Sequence, residues 1–347
     1  MRDERLVVQV GPVRGMPGGI SSVITEYEQL DLAPFRQRRY VTYRPGKPLL
    51  GVLSALAFPF WALPCILRGD RPVVHVHLSE GGRFAREGFV ALVASALRLR
   101  VVATLHGARF LDFAAAQPRL VRRVLRACNV VLCLGAEHAA AVNDVSVNAD
   151  VRLVMNPVDV PERRRRVHPR GRLVVFGGEV GTRKGIDRLL RAWPAVLADL
   201  PDARLAICGP MGSDVVEMPP DVEYHGAVTR DDLRALLAQA AVACLPSRQE
   251  VLPVFILEAL VEGTPVVATK AGEWQSFAGA ETVHWVENED GIAADTALAS
   301  ALIGVLTTDP DDAAADRTWT WLEENASRGA VAATLVQAYS TAPFVRG

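Results

Sequence analysis

Nine short runs rich in β-branched and aliphatic residues recur along this chain, and longer segments with helical spacing of apolar residues separate them. Strands that alternate with helices in this way are typical of βαβ units, whose strands pair in parallel. Five runs precede a proline- and arginine-rich stretch and four follow it, so the sequence predicts an α/β protein with two doubly wound parallel sheets. The runs lie at residues 6–10, 39–43, 73–78, 100–105, 130–134, 172–177, 204–209, 241–246 and 265–269.

The length supports this division into two domains. With 347 residues, of which 50% are hydrophobic, the chain can form two cores of ordinary domain size. We expect a Rossmann-like domain at 1–158, a linker at 159–171 and a second Rossmann-like domain at 172–318. The remaining residues, 319–347, are expected to form helices that pack back toward the first domain.

Charge and cysteine content exclude several classes of protein. The net charge of −1 gives no reason to expect a nucleic-acid partner. The five cysteines form no C-x-x-C pair, which argues against a disulfide framework and against a zinc site. A strand follows the first few residues directly, without the apolar core of an export signal. We therefore expect a cytoplasmic protein.

Residues 49–67 form an apolar segment that is long enough to suggest a membrane span. Two features oppose a span: Pro59 and Pro64 are expected to interrupt a helix, and the strand at 73–78 must pair with strands that precede the segment. A core helix is the favoured interpretation, and a helix with one face on a membrane surface is the alternative.

Two carboxylates in the apolar segment 247–269 indicate a ligand site. Pro253 lies between Glu250 and Glu258 and predicts a helix over 253–261 that ends at Gly263, with Glu250 in the preceding loop. Both acids can then point into the crevice at the carboxyl end of strand 241–246, beside a helix start that suits a phosphate. Carboxylates there accept hydroxyl hydrogens of ribose or sugar. The alternative is an N-cap acid followed by a solvent-facing Glu258.

The motif P-S-x-x-E-x-L-P-x-x-I-L-E-A-L, which begins at Pro246, resembles the E-x7-E signature of family 4 retaining glycosyltransferases. Upstream, residues 176–193, 204–210 and 222–247 are similar to further segments of that family. The amino half resembles its bacterial polysaccharide-biosynthesis members less specifically, through a glycine turn after the first strand and the His106-Gly107 pair. The resemblance implies a GT-B fold, in which two Rossmann-like doubly wound parallel-sheet domains face each other across a cleft.

The resemblance also implies roles for particular residues. Glu258 would bind the donor ribose, while Lys184 would neutralise the diphosphate leaving group. His106 would lie against the transferred sugar, although a hydrogen-bonded core histidine is the alternative. The family often has Gly-Arg where this chain has Gly178-Glu179, so either Arg183 supplies the second cation or the diphosphate has one cation fewer. The donor contacts are completed by the glycine turn of Gly18 and Gly19, by Glu250, and by the amides of Val251 and Leu252.

These expectations define a hexosyltransferase-type glycosyltransferase (EC 2.4) that uses a nucleotide-diphosphate sugar as its donor and requires no cofactor. No convincing D-x-D metal site is found, so we expect metal independence. The apolar segment 49–67 and nearby arginines suggest a glycan or lipid-linked acceptor of cell-surface polysaccharide synthesis, used at the inner face of the cell membrane.

Several other functions are compatible with these motifs. A natural-product glycosyltransferase would use a small-molecule acceptor. A GT-B nucleotide-sugar epimerase, a sugar phosphorylase or a non-catalytic sugar-nucleotide-binding subunit would have a similar pocket. An NAD-dependent oxidoreductase is disfavoured, because the glycines at positions 11, 15, 18 and 19 do not form G-x-G-x-x-G.

Overall fold

A computed structural model of the protein describes residues 5–16, 19–145, 149–164, 171–214 and 217–340. Within these ranges there are twelve strands and twelve α-helices. The first half contains β1 (Arg5–Pro12), α1 (Gly19–Tyr27), β2 (Phe35–Tyr43), α2 (Pro48–Leu67), β3 (Val73–Leu78), α3 (Gly81–Ala96), β4 (Val101–Leu105), α4 (Phe110–Ala116), α5 (Pro118–Leu125), β5 (Val130–Cys133), α6 (Ala136–Val145) and β6 (Asp150–Leu153). The second half contains β7 (Leu173–Gly177), α7 (Ile186–Asp199), β8 (Arg204–Cys208), β9 (Val222–Gly226), α8 (Arg230–Leu237), β10 (Val242–Leu245), α9 (Val254–Val261), β11 (Val266–Thr269), β12 (Val283–Val286), α10 (Ile292–Thr307), α11 (Asp312–Asn325) and α12 (Arg328–Ser340).

The first sheet has six parallel strands in the order β2-β1-β3-β4-β5-β6. Strands β3, β4 and β5 are buried along their whole length. This burial is expected for a parallel sheet covered by helices on both faces. The strand order changes direction between β1 and β3, and open α/β sheets bind ligands at the carboxyl ends of the strands at such a point.

The second sheet has six parallel strands in the order β12-β11-β10-β7-β8-β9. The chain builds one half outward from β7 through β8 to β9, and then the other half outward from β10 through β11 to β12. The direction therefore changes between β7 and β10, and open α/β sheets bind ligands in the crevice at the carboxyl ends of such strands. The predicted α/β architecture with two parallel sheets is confirmed.

Each sheet belongs to its own compact unit, and the last helix returns to the first of them. The first unit comprises the chain up to Pro157 and the chain from Arg328 onward, and the second comprises Val158–Ser327. Helix α12 places Tyr339 in the core of the first unit, with its hydroxyl 2.8 Å from His75 Nδ1. Helix α11 packs within the second unit, so the structure divides the two terminal helices between the units. Of the predicted linker, residues 165–170 lie outside the described residues.

The apolar segment near the amino end of the chain forms one continuous helix, α2, with Pro59 and Pro64 inside it. The expectation that these prolines interrupt the helix is wrong. Each proline removes one backbone N–H from the helical hydrogen bonds. Phe58 and Ala62, on either side of Pro59, are fully buried, so tertiary packing holds the helix together across the missing bond.

Candidate functional site

The loops that follow β7 and β10 meet at the crevice of the second sheet. The loop after β7 contains a 3₁₀ turn, Thr182–Lys184, followed by Gly185. Gly185 has φ of +73°, and a Cβ atom on it would lie 1.8 Å from the carbonyl oxygen of Pro246. Only glycine permits this close approach of the two loops. The Lys-Gly pair in the sequence therefore has a physical reason, since Gly185 brings Lys184 to the end of β10.

Lys184 and Glu250 form an ion pair at this point. Lys184 Nζ lies 2.5 Å from Glu250 Oε1, and both side chains are largely shielded from solvent. The hydroxyl of Ser247 donates to the same carboxylate oxygen at 2.8 Å. A lysine ammonium has three N–H donors. The contact with Glu250 uses one of them, so the ammonium retains the capacity to donate to an anionic group.

We predict that Gly185→Ala lowers the free energy of unfolding by about 2–4 kcal/mol, because the new methyl group adds a clash with Pro246 to the strain of a positive φ. Gly226→Ala is the matched control in the same unit. Gly226 has φ of +66° with no atom within 4 Å of its Cβ position, so its substitution should cost only the backbone strain, about 1 kcal/mol. Urea denaturation measures both variants. Equal losses would show that loop contact at Gly185 contributes nothing.

Two arginines that the sequence analysis missed hold the loop that carries Glu250. Arg188 is buried, and its Nη1 donates to the carbonyl of Pro246 at 3.2 Å while its Nε contacts Asp290 at 3.0 Å. Arg248 contacts Asp187 at 2.7 Å and also contacts Asp290. Hydrogen bonds from Arg248 and then Arg188 lower the pKa of Asp290. The available signal was Arg188 itself, a charged residue at a buried position of an amphipathic helix.

The backbone of Glu250 and Val251 is supported from the other side by the turn after β11. Gly272 has φ of +62°, and a Cβ on it would lie 2.2 Å from the carbonyl oxygen of Glu250. Glu273 donates its backbone N–H to the carbonyl of Val251 at 3.0 Å. Val251 and Leu252 are themselves buried and precede Pro253, the N-cap residue of α9. The loop is thus fixed where the N–H groups of the first turn of α9 point out of the helix.

Glu258 lies in the second turn of α9 and pairs with a different cation from Glu250. Its Oε1 is 2.9 Å from Arg230 Nε of α8. Four residues later on both helices, Glu262 Oε1 is 2.6 Å from Arg234 Nε. The structure therefore brings Glu250 together with Lys184 and sets Glu258 in a ladder of ion pairs between α8 and α9. Arg230 is a further residue that the sequence analysis missed.

The remaining predicted donor contacts are placed as follows. Arg183 is exposed, and within the described ranges its guanidinium forms no ion pair. Its carbonyl oxygen accepts the backbone N–H of Arg248 at 2.9 Å. Gly19 is the first residue of α1, whereas Gly18 lies outside the described residues.

In the first unit, His106 follows β4. A chain of hydrogen bonds that starts at a backbone carbonyl determines which of its ring nitrogens carries the proton. Gln37 donates its amide to the carbonyl of Tyr27, so its side-chain oxygen accepts from Gln9 Nε2 at 2.8 Å. The Gln9 oxygen then accepts from His77 Nε2 at 2.9 Å. His77 Nδ1 is left as the acceptor for His106 Nε2, also at 2.9 Å. His106 therefore presents Nδ1 as a lone pair.

His106 belongs to a group of neutral histidines. Burial lowers the pKa of His75 and of His106 to about 3, and lowers the pKa of His77 well below 6.5. These rings therefore remain uncharged at neutral pH. Hydrogen bonding to His77 agrees with the core-histidine alternative, but His106 as a residue is only half-buried, and its Nδ1 lone pair is the ring atom that is left to accept a hydrogen bond from a hydroxyl group.

We predict that these histidines make the protein acid-sensitive. Between pH 6.5 and the folded-state pKa values the unfolded chain binds protons that the folded chain does not, so stability falls as pH falls through this window. Each histidine then lowers the free energy of unfolding by about 1.4 kcal/mol for every pH unit of acidification. Urea denaturation from about pH 7 to pH 5, above most carboxylate pKa values, measures the slope. His75→Asn should reduce this slope. A flat profile contradicts the prediction.

A cavity of about 210 Å³ lies at the crevice of the first sheet. Ser79, which follows β3, and Gly19 at the start of α1 form part of its wall. Arg83 and Arg86 also line it, each with its guanidinium carbon 5.1 Å from the centre of the Tyr43 ring. Stacking on an aromatic ring holds a guanidinium in place without neutralising it.

The two arginines of this cavity differ in their ion pairing. Arg86 pairs with Glu87 at 2.8 Å, and burial raises the pKa of that carboxyl group. Arg83 forms no ion pair within the part of the chain that the structure describes. The cavity therefore places two guanidinium groups beside hydroxyl oxygens and suits a ligand that bears hydroxyl groups and negative charge.

The sequence of the second unit is similar to known glycosyl transferases. Residues 171–308 match the family model described as glycosyl transferases group 1. The sulfoquinovosyl transferase SQD2 of Arabidopsis thaliana is 34% identical over 109 residues, which are 30% of this chain and 20% of that protein. The phosphatidyl-myo-inositol mannosyltransferase of Propionibacterium freudenreichii subsp. shermanii is 29% identical over 232 residues, 63% of this chain and 56% of that protein. The chain thus spans less than two thirds of either relative.

The fold has a close counterpart among solved structures. The crystal structure of Anabaena HepE in complex with UDP superposes with a TM-score of 0.73 at 13% identity, covering 97% of this chain and 99% of HepE. At this identity the likeness concerns the fold. The chain has the GT-B fold with two parallel six-stranded sheets, and its residues 171–308 match the family model of the group 1 glycosyl transferases.

Proposed function

We propose that this protein transfers a hexose from a nucleotide-diphosphate sugar to a glycan or lipid-linked acceptor in the synthesis of cell-surface polysaccharide or glycoconjugate. The observation that carries the proposal is the cluster of Lys184, Glu250 and Ser247 at the crevice between β7 and β10, beside the start of α9. The match of residues 171–308 to glycosyl transferases group 1 supports it. Structural neighbours in complex with UDP and UDP-glucose suggest a uridine donor.

The chemistry of sugar transfer fits this cluster. Cleavage of the bond between the anomeric carbon and the diphosphate develops negative charge on the leaving phosphate. A fixed ammonium and the N–H groups of a helix start stabilise such charge. Lys184 and the backbone after Leu252 would fill these roles, and exposed Arg183 would add a second cation. Glu250 would orient Lys184 and accept hydroxyl hydrogens of the transferred sugar.

His106 and Glu258 would complete donor recognition. The lone pair on His106 Nδ1 would accept a hydrogen bond from a hydroxyl of the transferred sugar, and Glu258 would bind the ribose. Retention of configuration and metal independence belong to the same proposal. Product configuration by NMR tests the first, and transfer in the presence of EDTA tests the second: we expect unchanged turnover.

The acceptor would bind in the cavity of the first unit. Its two guanidinium groups and its hydroxyl oxygens favour a sugar attached to a phosphate or diphosphate, the form that a lipid-linked glycan takes. We propose that the enzyme works at the cytoplasmic face of the membrane. A small-molecule acceptor is the second candidate, and the acceptor screen described next separates the two.

Thermal shift with a panel of nucleotide sugars tests the proposal, followed by an acceptor screen with the donor that raises the unfolding midpoint most. We expect nucleoside diphosphate release that depends on an added glycan-bearing acceptor. Conversion of the donor without an acceptor would indicate an epimerase, a requirement for free phosphate would indicate a phosphorylase, and donor binding without any turnover would indicate a binding subunit. Binding of NADH, measured by fluorescence, would support the oxidoreductase alternative.

A further inference from the structure

Helix α2 has most of its large apolar side chains on the outside, and most of its fully buried residues are small. Its buried positions are Gly51, Ala55, Phe58 and Ala62, of which three are small. Eight of the thirteen exposed large hydrophobic residues in the described chain belong to this one helix: Leu49, Leu50, Val52, Leu53, Leu56, Phe60, Leu63 and Leu67. Folding of the first unit therefore leaves an apolar surface uncovered, which we call the α2 face and define by these eight residues.

The α2 face is wide and continuous. At 100° per residue its eight positions span an arc of about 160°, and a helix of 20 residues is about 30 Å long. No Asp, Glu, Lys or Arg interrupts it, since the whole helix contains none. Among the helices of the described chain, α2 is the one that by itself has the length and hydropathy of a membrane span, with a mean hydropathy of 2.0. Exposed apolar surface of this extent marks a docking site.

The position of α2 in the fold excludes a span. The helix connects β2 to β3, and both strands belong to the same sheet. Its inner face packs closely on that sheet, since a Cβ on Gly51 would lie 2.4 Å from the carbonyl oxygen of Thr42. A helix held along one side by its own domain can lie in a membrane surface but cannot cross the bilayer.

The charges around the helix favour a lipid surface over a second protein. A partner helix in a coiled coil would need a narrow apolar stripe flanked by charged residues, whereas the α2 face is broad and has no charged flank. Exposed cations instead lie just beyond its two ends, Lys47 before the helix and Arg68 and Arg71 after it, with Asp70 as the one acid among them. Apolar residues bounded by cations match the acyl and headgroup layers of an anionic membrane.

We propose that the α2 face docks the first unit onto an anionic membrane, with Phe60, Leu56 and their apolar neighbours in the acyl layer and the flanking cations among the headgroups. This proposal rests on α2 alone and does not depend on the proposed enzymatic function. Docking along α2 would bring the adjacent first sheet to the membrane surface.

Sedimentation with phosphatidylcholine vesicles, with and without phosphatidylglycerol, tests the proposal on the full chain. We expect binding that strengthens with phosphatidylglycerol and weakens with salt. The double variant Leu56→Ser/Phe60→Ser should bind roughly 10- to 100-fold more weakly, since two apolar side chains no longer leave water. Ile292→Ser is the matched control, because Ile292 is 86% exposed but lies in the second unit; it should bind as the unmodified protein does.

Three results would overturn the proposal: no sedimentation with either vesicle, equal binding by the double variant and the unmodified protein, or dimers in solution that the double variant abolishes. Unfolding midpoints of all variants should agree, as the substituted side chains are exposed. A thermal shift with nucleotide sugar, recorded on the same samples without vesicles, reports the donor site separately. Membrane binding and donor binding can thus fail independently.

Discussion

Lys184→Met is expected to lower kcat for sugar transfer by about 10²- to 10³-fold, the effect of removing one preorganised charge from the leaving group. KM for the donor should change much less, because the ammonium acts mainly on charge that develops in the transition state. The fold should persist, since Ser247 still donates to Glu250 at 2.8 Å. Initial rates of nucleoside diphosphate release measure the effect, with the unfolding midpoint recorded alongside.

Lys270→Met is the matched control for this prediction. Lys270 also pairs with a glutamate of the second unit, Glu287, at 2.5 Å, but it lies in a more exposed position after β11. Its substitution should leave kcat unchanged. Lys184 has no catalytic role if kcat is the same for Lys184→Met, Lys270→Met and the unmodified enzyme. Its ion pair with Glu250 would then be a structural contact only.

Glu258→Gln is expected to raise the donor KM by about 10- to 100-fold, because a hydrogen bond between a carboxylate and a ribose hydroxyl contributes about 1.5–3 kcal/mol. The neighbouring Glu262 provides an internal comparison, since it lies on the same helix and pairs with an arginine of the same partner helix. Glu262 is fully buried, so Glu262→Gln should lower stability by about 1–3 kcal/mol and leave the donor KM unchanged.

The comparison separates two roles that the ladder between α8 and α9 combines. Steady-state kinetics measure the donor KM of both variants, and urea denaturation measures their free energies of unfolding. Each glutamate is thereby assigned either to donor binding or to stability. If Glu258→Gln behaves as Glu262→Gln is expected to behave, losing stability but not donor affinity, Glu258 is a structural ion pair and the ribose contact lies elsewhere.

The fold was largely predictable because buried parallel strands have a strong sequence signal. All nine predicted runs fall on strands of the structure. The three strands without a predicted run, β6, β9 and β12, are all at sheet edges. An edge strand has a neighbour on one side only, and these three contain exposed or half-exposed residues, so they lack the continuous apolar pattern of the inner strands.

The site was predictable only in part, for a similar reason. Lys184 and Glu250 stand in recognisable motifs, but the ion pair between them depends on the close approach at Gly185, which no local pattern encodes. Arg188 stands out as a charged residue at a buried position of an amphipathic helix, but its contacts with Pro246 and Asp290 join distant parts of the chain that no local pattern connects. The hydrogen bonds that set the tautomer of His106 join Gln9, Gln37 and His77 from three strands, and such contacts arise only when the sheet has formed.

The return of α12 to the first unit has a consequence for biosynthesis. Tyr339 fills part of a core whose other members include Gln9 and His75, and Arg100 donates to the carbonyl of Ala338 at 2.7 Å. A ribosome delivers those partners more than two hundred residues before it delivers Tyr339. The core of the first unit therefore cannot be completed until the carboxyl-terminal helix has emerged from the ribosome.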